Sequence, residues 1–405
     1  MRPQFKVIAI FLLLFVAAGV FAQTQGTFES GVTWAFSNDG TLRISGTGPM
    51  PRSYPAAVPP WSSVRNRITS VIIEDGITSL PVAGFAGSPL LTSITIGRGV
   101  TALPESVFSR TGITSITIPP QIASIEISAF DVVNNLETVY FNAVNCADFA
   151  PMLSHPPFHS TRAPALKTVV IGNTVRRIPN SIFNGSITIT TLTFGSSVTE
   201  IGDRSFRGCT GLTSIVIPNS VNTIGPFAFE NCTNVTSITL GNEVSVIRQE
   251  AFTGTRITEI TIPENITTLW TGSFRNSNRL QTVYFNATNV TNTGGNGSPF
   301  VDSQSLEKII FGENVRQIPS QVAFQLTSLE SITIGSRVNV IGDRAFYGCI
   351  ALEEIINNAR NPQALRNEMF FHGVNKSFCV VRVPAASVNA YRAANIWKDF
   401  QILAQ

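Results

Sequence analysis

The sequence repeats itself every 22 or 23 residues over most of its length, and this period constrains the fold more than any other feature. The stretch from Leu212 to Cys232 shows one whole unit. The same register opens twelve times, at Ile68, Leu91, Ile113, Leu136, Leu166, Ile189, Leu212, Val235, Ile257, Leu280, Leu306 and Leu329, and a truncated unit opens at Leu352. Longer spacings of 30 and 26 residues follow Leu136 and Leu280. Self-similarity at this period predicts stacked coils, because each unit brings the chain back to an equivalent position.

Each unit begins with alternating apolar and polar residues, which is typical of a half-buried strand. In the unit that opens at Leu212, Ile215 and Ile217 are expected to face inward, while Ser214 and Val216 face outward. A phenylalanine ends most units, at Phe85, Phe108, Phe130, Phe183, Phe206, Phe229, Phe252, Phe274 and Phe346, with Phe324 one residue late. The chain has 28 Phe against 5 Tyr and 4 Trp, so we predict a buried ladder of phenylalanine rings.

Both ends of the stack need caps, because a terminal coil would otherwise expose an apolar face. Residues 32–36 and 42–45 alternate on either side of a Ser-Asn-Asp-Gly turn, which predicts a β-hairpin. Near the other end, residues 379–384 predict a last strand. A helical spacing follows it at Val388, Tyr391, Ala394 and Trp397. We therefore predict one elongated domain, composed of an N-terminal β cap module (23–67), twelve repeats (68–351), and a truncated repeat with a C-terminal cap (352–405).

Residues 1–22 have the composition of a secretory signal peptide. Arg2 and Lys6 precede an apolar run, and Ala22 stands at a suitable cleavage position. An uncleaved anchor is the alternative, but an apolar run of 14 residues, from 7 to 20, is short for a membrane span. Cleavage would lower the formal net charge from +3 to +1, which gives no steering toward nucleic acids or other polyanions. We expect the protein to be secreted or held at the cell surface, in the periplasm or on the outer face.

The unit L-x-x-I-x-I-P-x-x-V-x-x-I-G-x-x-A-F-x-x-C is nearly complete in residues 189–209, 212–232 and 329–349, and it resembles the BspA-like class of leucine-rich repeats. Residues 40–48 and 383–400 are similar to the opening and closing modules of that family. The resemblance implies a leucine-rich-repeat solenoid of the α/β class, with a parallel β-sheet on a concave face and short helical or irregular segments on the convex side. It also implies a bacterial surface or secreted protein that binds host matrix proteins, host cells or other bacteria.

The outward strand positions form a nearly uncharged face of Ser, Thr and β-branched residues. Within the twelve units, Glu259 and Lys308 are the only charged residues at the third and fifth positions. One interpretation is that these residues are present for their strand propensity. The other is a protein-binding surface that uses tyrosine anchors. The candidate partner-binding residues on this concave face are Thr117, Tyr140, Thr193, Thr239, Glu259, Thr261, Tyr284 and Lys308.

The two tyrosines occur in nearly duplicate segments, 136–143 and 280–287. Each segment opens one of the two long units and is followed by an insertion, roughly 144–156 and 288–298. Phe158 and Phe300 then restore the phenylalanine register. Loops on a rigid scaffold are favoured sites of function, although a tolerated insertion explains the same pattern.

Residue patterns that would indicate catalysis or a bound metal are not found. Cys209, Cys232 and Cys349 share one repeat position, which predicts small buried residues; a Cys209–Cys232 disulfide is conceivable, but we assign no bridges. His155 and His159 are separated by two prolines, so they cannot lie on one helix face as metal ligands. The glycines recur at turns and do not match a phosphate-binding loop. We therefore predict no cofactor, no metal and no catalytic residues.

Three functions remain compatible with these patterns. The leading hypothesis is a non-enzymatic adhesin that binds host extracellular matrix proteins or cells through its concave face and inserted loops. A carbohydrate-active solenoid enzyme is the second, but it needs a pair of carboxylates and the outward strand positions offer only Glu259. The third is a structural spacer of the envelope without a specific ligand.

Overall fold

The computed structural model describes residues 24–54, 58–150, 156–290 and 293–405. The predicted signal peptide therefore lies outside the described residues. The chain divides into two compact units, one formed by residues up to 175 with 182–195 and the other by 176–181 with 196–405. The prediction of a single elongated domain stays a prediction. Strands are numbered in chain order.

All twelve predicted repeats open with a strand, and these strands run parallel within each unit. The main strands are β3 (Thr41–Ser45), β5 (Ser70–Ile73), β7 (Ser93–Thr95), β9 (Ser115–Ile118), β11 (Thr138–Phe141), β12 (Thr168–Ile171), β14 (Thr191–Thr193), β16 (Ser214–Val216), β18 (Ser237–Thr239), β20 (Glu259–Ile262), β22 (Thr282–Phe285), β23 (Lys308–Phe311), β25 (Ser331–Ile334), β27 (Glu354–Asn357), β28 (Val380–Val383) and β29 (Gln401–Ala404). Their burial alternates as predicted: Ile215 and Ile217 are buried, and Val216 is exposed. The predicted parallel-strand solenoid is confirmed.

A second row of very short strands was not predicted. Most of these strands contain one buried apolar residue, such as Ile224. They are β4 (Gly48–Pro49), β6 (Ile77–Ser79), β8 (Ala102–Leu103), β10 (Ser124–Ile125), β13 (Arg177–Ile178), β15 (Glu200–Ile201), β17 (Thr223–Ile224), β19 (Val246–Ile247), β21 (Thr268–Leu269), β24 (Gln317–Ile318) and β26 (Val340–Ile341). In the second unit, β13, β15, β17, β19 and β21 form one parallel sheet. The turn between the two rows is tight: a Cβ on Gly241 would lie 2.5 Å from the carbonyl oxygen of Pro218 in the coil before.

The aromatic ladder is present in both units. In the first unit it contains Trp61, Phe85, Phe108, Phe130, Phe158 and Phe183, with ring centroids 5.1–5.8 Å apart. In the second unit it begins with Phe206, Phe229, Phe252, Phe274 and Phe300, at 5.3–5.7 Å. Phe346 and Phe371 stack further on, at 5.3 Å. The prediction that Phe158 and Phe300 restore the register after the insertions is confirmed.

Phe324 lies outside the ladder, and its inclusion was wrong. The backbone N–H of Ala323 donates to Ala345, as the N–H of Phe229 donates to Ala251, so Ala323 occupies the ladder position of its coil. Phe324 is half-buried and stacks on Tyr347 at 5.1 Å. Phe311, a main-strand residue, contacts Phe346 edge to face at 6.2 Å.

The ends are capped by more structure than was predicted. The predicted hairpin is β2 (Thr33–Phe36) against β3, and β1 (Thr24–Thr27) adds a further antiparallel strand. At the other end, the predicted last strand is β28, and β29 pairs beyond it. The predicted helix is short: α1 spans Val388–Ala393, and a 3-10 turn spans Trp397–Asp399. Other 3-10 turns lie at Ser62–Arg67, Glu368–Phe371 and Ala385–Ser387, so the described structure has few helices.

Candidate functional site

The first group of predicted residues lies in one row across four neighbouring strands of the first unit. Tyr140 pairs with Thr117 on β9 and with Val170 on β12, and Val170 pairs with Thr193 on β14. All three predicted residues are exposed, and 43% of Tyr140 is accessible to solvent. We call Thr117, Tyr140, Val170 and Thr193 the first tyrosine patch.

The second group forms the same arrangement in the second unit. Tyr284 pairs with Thr261 on β20 and with Ile310 on β23, and Ile310 pairs with Thr333 on β25. Thr261, Tyr284, Ile310 and Thr333 are the second tyrosine patch, in which 37% of Tyr284 is accessible. The two patches have one composition: a tyrosine beside a β-branched aliphatic residue, with a threonine on each side.

Charged residues occupy the row next to the second patch. Glu259 pairs with Thr282, which pairs with Lys308, so two strand spacings separate Glu259 from Lys308. Glu259 is exposed and Lys308 is half-buried. Beyond the twelve repeats the same sheet carries Glu354 and Arg382, which form an ion pair at 2.9 Å. The sequence prediction missed this pair because it considered only the twelve complete units.

Thr239, the remaining predicted residue, lies on β18 and is exposed, but β18 is not paired with β20. The same interruption occurs between β7 and β9 in the first unit. These pairs of strands are the ones whose repeats open 22 residues apart rather than 23 or more. Within the described part of each unit, all other consecutive main strands are paired. A repeat shortened by one residue therefore interrupts the main sheet.

A cleft of roughly 760 Å³ lies where β18 and β20 separate. Its walls include Thr239, Glu259 and Thr261, three of the predicted site residues, together with Glu264 and Glu313 from the turns that follow β20 and β23. Asparagines at 242, 286 and 314 also line it. The cleft thus joins Thr239 to the second tyrosine patch, and sequence reasoning missed it although the short spacing was visible.

The insertions lie beside the second row of strands rather than on the outward face of the main strands. The Ala147 N–H donates to the Ala123 carbonyl at 2.8 Å, directly before β10. In the other insertion, the Gly294 and Gly297 carbonyls accept from the Thr271 hydroxyl, just after β21, at 2.8 and 3.0 Å. The tyrosine patches and the described parts of the insertions are therefore separate candidate surfaces.

The cysteines have a structural role. All five are buried, and Cys232 is a free thiol, so the conceivable Cys209–Cys232 bridge is not formed. Cys232 donates to the carbonyl of Phe206 in the preceding coil at 3.3 Å. Ser186 and Ser303 stand three residues after their ladder phenylalanines, as Cys232 does, and donate to the equivalent carbonyls of Phe158 and Phe274. The shared position thus takes a small buried donor, whether thiol or hydroxyl.

We expect these thiols to weaken the fold at alkaline pH. Burial raises the pKa of Cys146, Cys232, Cys349 and Cys379 to about 12, from a usual value near 9. Because the folded protein then holds these protons more tightly than the unfolded chain, this contribution is complete below about pH 9 and is lost as pH approaches about 12. The midpoint of chemical denaturation should fall over this range, and it should fall less in Cys232→Ser. At pH 7 this variant should differ by no more than about 1 kcal/mol, the size of one ordinary hydrogen bond. A parallel loss in both proteins above pH 9 would contradict the assignment.

The described residues contain no group of three or more His, Cys, Asp or Glu side chains that could hold a metal ion. His155 lies outside the described residues, and the Nδ1 of His159 accepts a hydrogen bond from the Thr161 N–H at 3.1 Å. In the cleft, the Ser336 hydroxyl and N–H donate to Glu313 and lower the pKa of its carboxyl, so Glu313 is unsuited to act as a general acid. Among the helices that the structure describes, none is both long and apolar enough to cross a membrane.

The sequence model of the BspA type leucine rich repeat region matches the chain in six copies, over residues 64–148, 158–281 and 256–376. No curated protein matches the chain in sequence. Similar solved structures include a leucine-rich repeat protein from Bacteroides ovatus, with 18% identity, 96% of this chain and 100% of the other covered, and a TM-score of 0.48. Another is a leucine-rich repeat protein from Eubacterium ventriosum, with 22% identity, coverage of 87% and 95%, and a TM-score of 0.38. A leucine rich cell surface protein from Faecalibacterium prausnitzii has 21% identity, coverage of 91% and 98%, and a TM-score of 0.36.

Proposed function

Since the chain belongs to the BspA type leucine-rich repeat family, we propose that it is an exported, non-enzymatic adhesin that binds host extracellular matrix proteins or cells. Membership of this family indicates a role in protein interaction or at the cell surface. Export through residues 1–22 and the identity of the partner are parts of the proposal. The inserted loops remain a second candidate surface within it.

The observation that supports the proposal most directly is the repetition of one exposed patch in both units. Tyrosine is enriched among the residues that dominate binding energy, since it supplies a large and fairly rigid contact area. Each tyrosine here is partly exposed at the centre of a four-strand row, with Val170 or Ile310 beside it. Two copies of one patch on a single chain would allow bivalent binding, which strengthens attachment without any new contact.

We expect the double variant Tyr140→Ala with Tyr284→Ala to lose at least tenfold in affinity for a panel of extracellular matrix proteins and for host cells. The physical reason is the loss of two central aromatic anchors, each typically worth about 2 kcal/mol or more at an interface. Each single variant should lose less than the double variant. Binding would be measured by surface plasmon resonance and by cell attachment, in low and high salt. Because the patches are uncharged, binding through them should persist in high salt.

Thr95→Ala is the matched control, because Thr95 is an exposed residue of β7 that belongs to neither patch. It should bind as the unmodified protein does. Equal binding by the double tyrosine variant and the control would rule out the patches as the adhesive surface. If the unmodified protein recovered nothing above background from matrix extracts or cells, the envelope-spacer hypothesis would replace the adhesin.

A further inference from the structure

The interruption between β18 and β20 has a simple cause in the chain. In a 23-residue coil, two residues separate the small buried donor from the opening residue of the next repeat, as Thr233 and Asn234 lie between Cys232 and Val235. In the short coil, Arg256 alone separates Thr255 from Ile257. Thr255 keeps the buried position, so the missing residue is lost from the turn that leads into β20. The chain therefore enters β20 without the turn that aligns other main strands with their predecessors.

This change leaves two backbone groups just before the two strands without their usual bond, although the nearby Arg256 N–H donates to the Val235 carbonyl at 2.8 Å. Between β16 and β18, the Thr236 N–H donates to the Thr213 carbonyl at 2.9 Å. The corresponding partners one coil later are the Thr236 carbonyl and the Thr258 N–H, and the structure describes no hydrogen bond between them. Both residues are exposed, and both line the cleft. The cleft thus offers a main-chain acceptor and a main-chain donor on its two walls, as an open strand edge does.

The charged residues that line the cleft indicate the chemistry of the partner that it would bind. Glu259, Glu264 and Glu313 line it, and none of the residues that line it is Lys or Arg. Glu259 and Glu264 are exposed, and the described structure shows no ion pair for either of them. Glu313 is held in the ionised form by its hydrogen bonds from Ser336. Lys308 lies two strand spacings from Glu259 and does not line the cleft.

We propose that the cleft between β18 and β20 binds an extended, basic polypeptide segment of a protein partner. Its lysine or arginine side chains pair with Glu259 and Glu264, and its main chain bonds to the Thr236 carbonyl and the Thr258 N–H. This inference rests on the proposed function, because it assigns the partner's chemistry next to the second tyrosine patch. It adds a salt-sensitive contact beside a tyrosine patch that is itself uncharged.

The test uses the purified full chain and the peptide Lys-Thr-Lys-Thr-Lys-Thr-Lys, with binding measured by calorimetry or fluorescence anisotropy. Glu259→Gln with Glu264→Gln should weaken binding about tenfold. The matched control is Glu307→Gln with Glu330→Gln, a pair of exposed glutamates of the same unit that do not line the cleft, and it should bind normally. An analogue of the peptide with methylated backbone nitrogens should also bind about tenfold more weakly, because it cannot donate to the Thr236 carbonyl. Equal weakening by both glutamine pairs, or equal binding of both peptides, would overturn the proposal.

A variant with one added residue tests the proposal without changing any charged side chain. One asparagine placed between Arg256 and Ile257 restores the 23-residue spacing, and it should allow β20 to pair with β18. Hydrogen exchange at the Thr258 amide should then become slow, which shows that the strand has paired. Peptide binding should fall at least tenfold in this variant. Unchanged binding together with a protected Thr258 amide would contradict the proposal.

Failure of this inference and failure of the proposed function give different results. If matrix proteins bind the unmodified chain but the basic peptide does not, the cleft is not the site and the adhesin proposal stands. If the peptide binds through the cleft while matrix proteins and cells do not bind, the cleft assignment stands and the adhesin proposal fails.

Discussion

Replacing Phe229 by alanine is expected to lower the free energy of unfolding by about 3–5 kcal/mol, the usual cost of deleting a buried phenylalanine ring. The ring is completely buried and lies 5.3 and 5.5 Å from the rings of Phe206 and Phe252. Both contacts disappear in the variant, so two neighbouring coils lose packing at once. In a stack of this kind each coil depends on its neighbours, and the cavity cannot be filled by a local shift. Chemical denaturation followed by circular dichroism would measure the change.

The matched control is Thr239→Ala, in the next repeat of the same unit. Thr239 is exposed at a main-strand position, and its loss should change stability by well under 1 kcal/mol. Similar losses in both variants would mean that the assignment of inward and outward positions is wrong. A second comparison is Phe324→Ala, which should cost clearly less than Phe229→Ala, because Phe324 is half-buried outside the ladder.

The sequence predicted the main features of the fold because the same pattern recurs a dozen times. A single alternation such as that at Ile215 and Ile217 is weak evidence, but its repetition leaves little choice of register. The short second strands could not be predicted. Val246–Ile247 has only two residues, and its pairing depends on the coils on either side. A left-handed residue two positions before several of the ladder rings was also not predicted, since Arg204, Phe227 and Glu250 adopt this conformation without being glycine.

The sequence predicted which residues of the candidate site are exposed, but not which of them lie next to one another. The alternation of the strands was enough to predict that Tyr140 and Tyr284 face outward. Their neighbours Val170 and Ile310 stand across the two insertions, so their adjacency to the tyrosines follows from strand pairing. The cleft beside Thr239 depends on a single missing residue, whose effect on pairing the sequence alone does not reveal.

The C-terminal cap shows the same limit for a segment that occurs once. The helical spacing correctly predicted that Tyr391 and Trp397 are buried, but α1 has only six residues and β29 was not predicted. The Tyr391 hydroxyl donates to the Ala359 carbonyl at 2.9 Å, and the Trp397 indole N–H donates to the Gln363 carbonyl at 3.0 Å. The cap is therefore held to the last coil both by ring packing and by buried hydrogen bonds.

We expect Trp397→Ala to lower the free energy of unfolding by about 3–5 kcal/mol and to open the end of the stack. Trp397 is completely buried, and it contacts Phe371 at 5.5 Å and Phe400 at 6.0 Å. Its removal leaves a cavity beside Phe371, and the Gln363 carbonyl loses the hydrogen bond that it accepts from the indole N–H. Because terminal coils open most easily when their apolar face is uncovered, amides of β28 and β29 should exchange much faster, while those of β18 change little. Denaturation and hydrogen exchange would measure the two effects.

Trp397→Phe separates the contribution of the ring from that of the hydrogen bond. This variant keeps an aromatic ring against Phe371 but leaves the Gln363 carbonyl without its indole donor, which should cost about 1–3 kcal/mol. Exchange in β29 should then rise less than in Trp397→Ala. If both variants were equally unstable, the hydrogen bond to Gln363 rather than ring packing would hold the cap. If neither altered exchange in β28 and β29, the last coils would be stable without the cap, because pairing between β27, β28 and β29 would be sufficient to hold them.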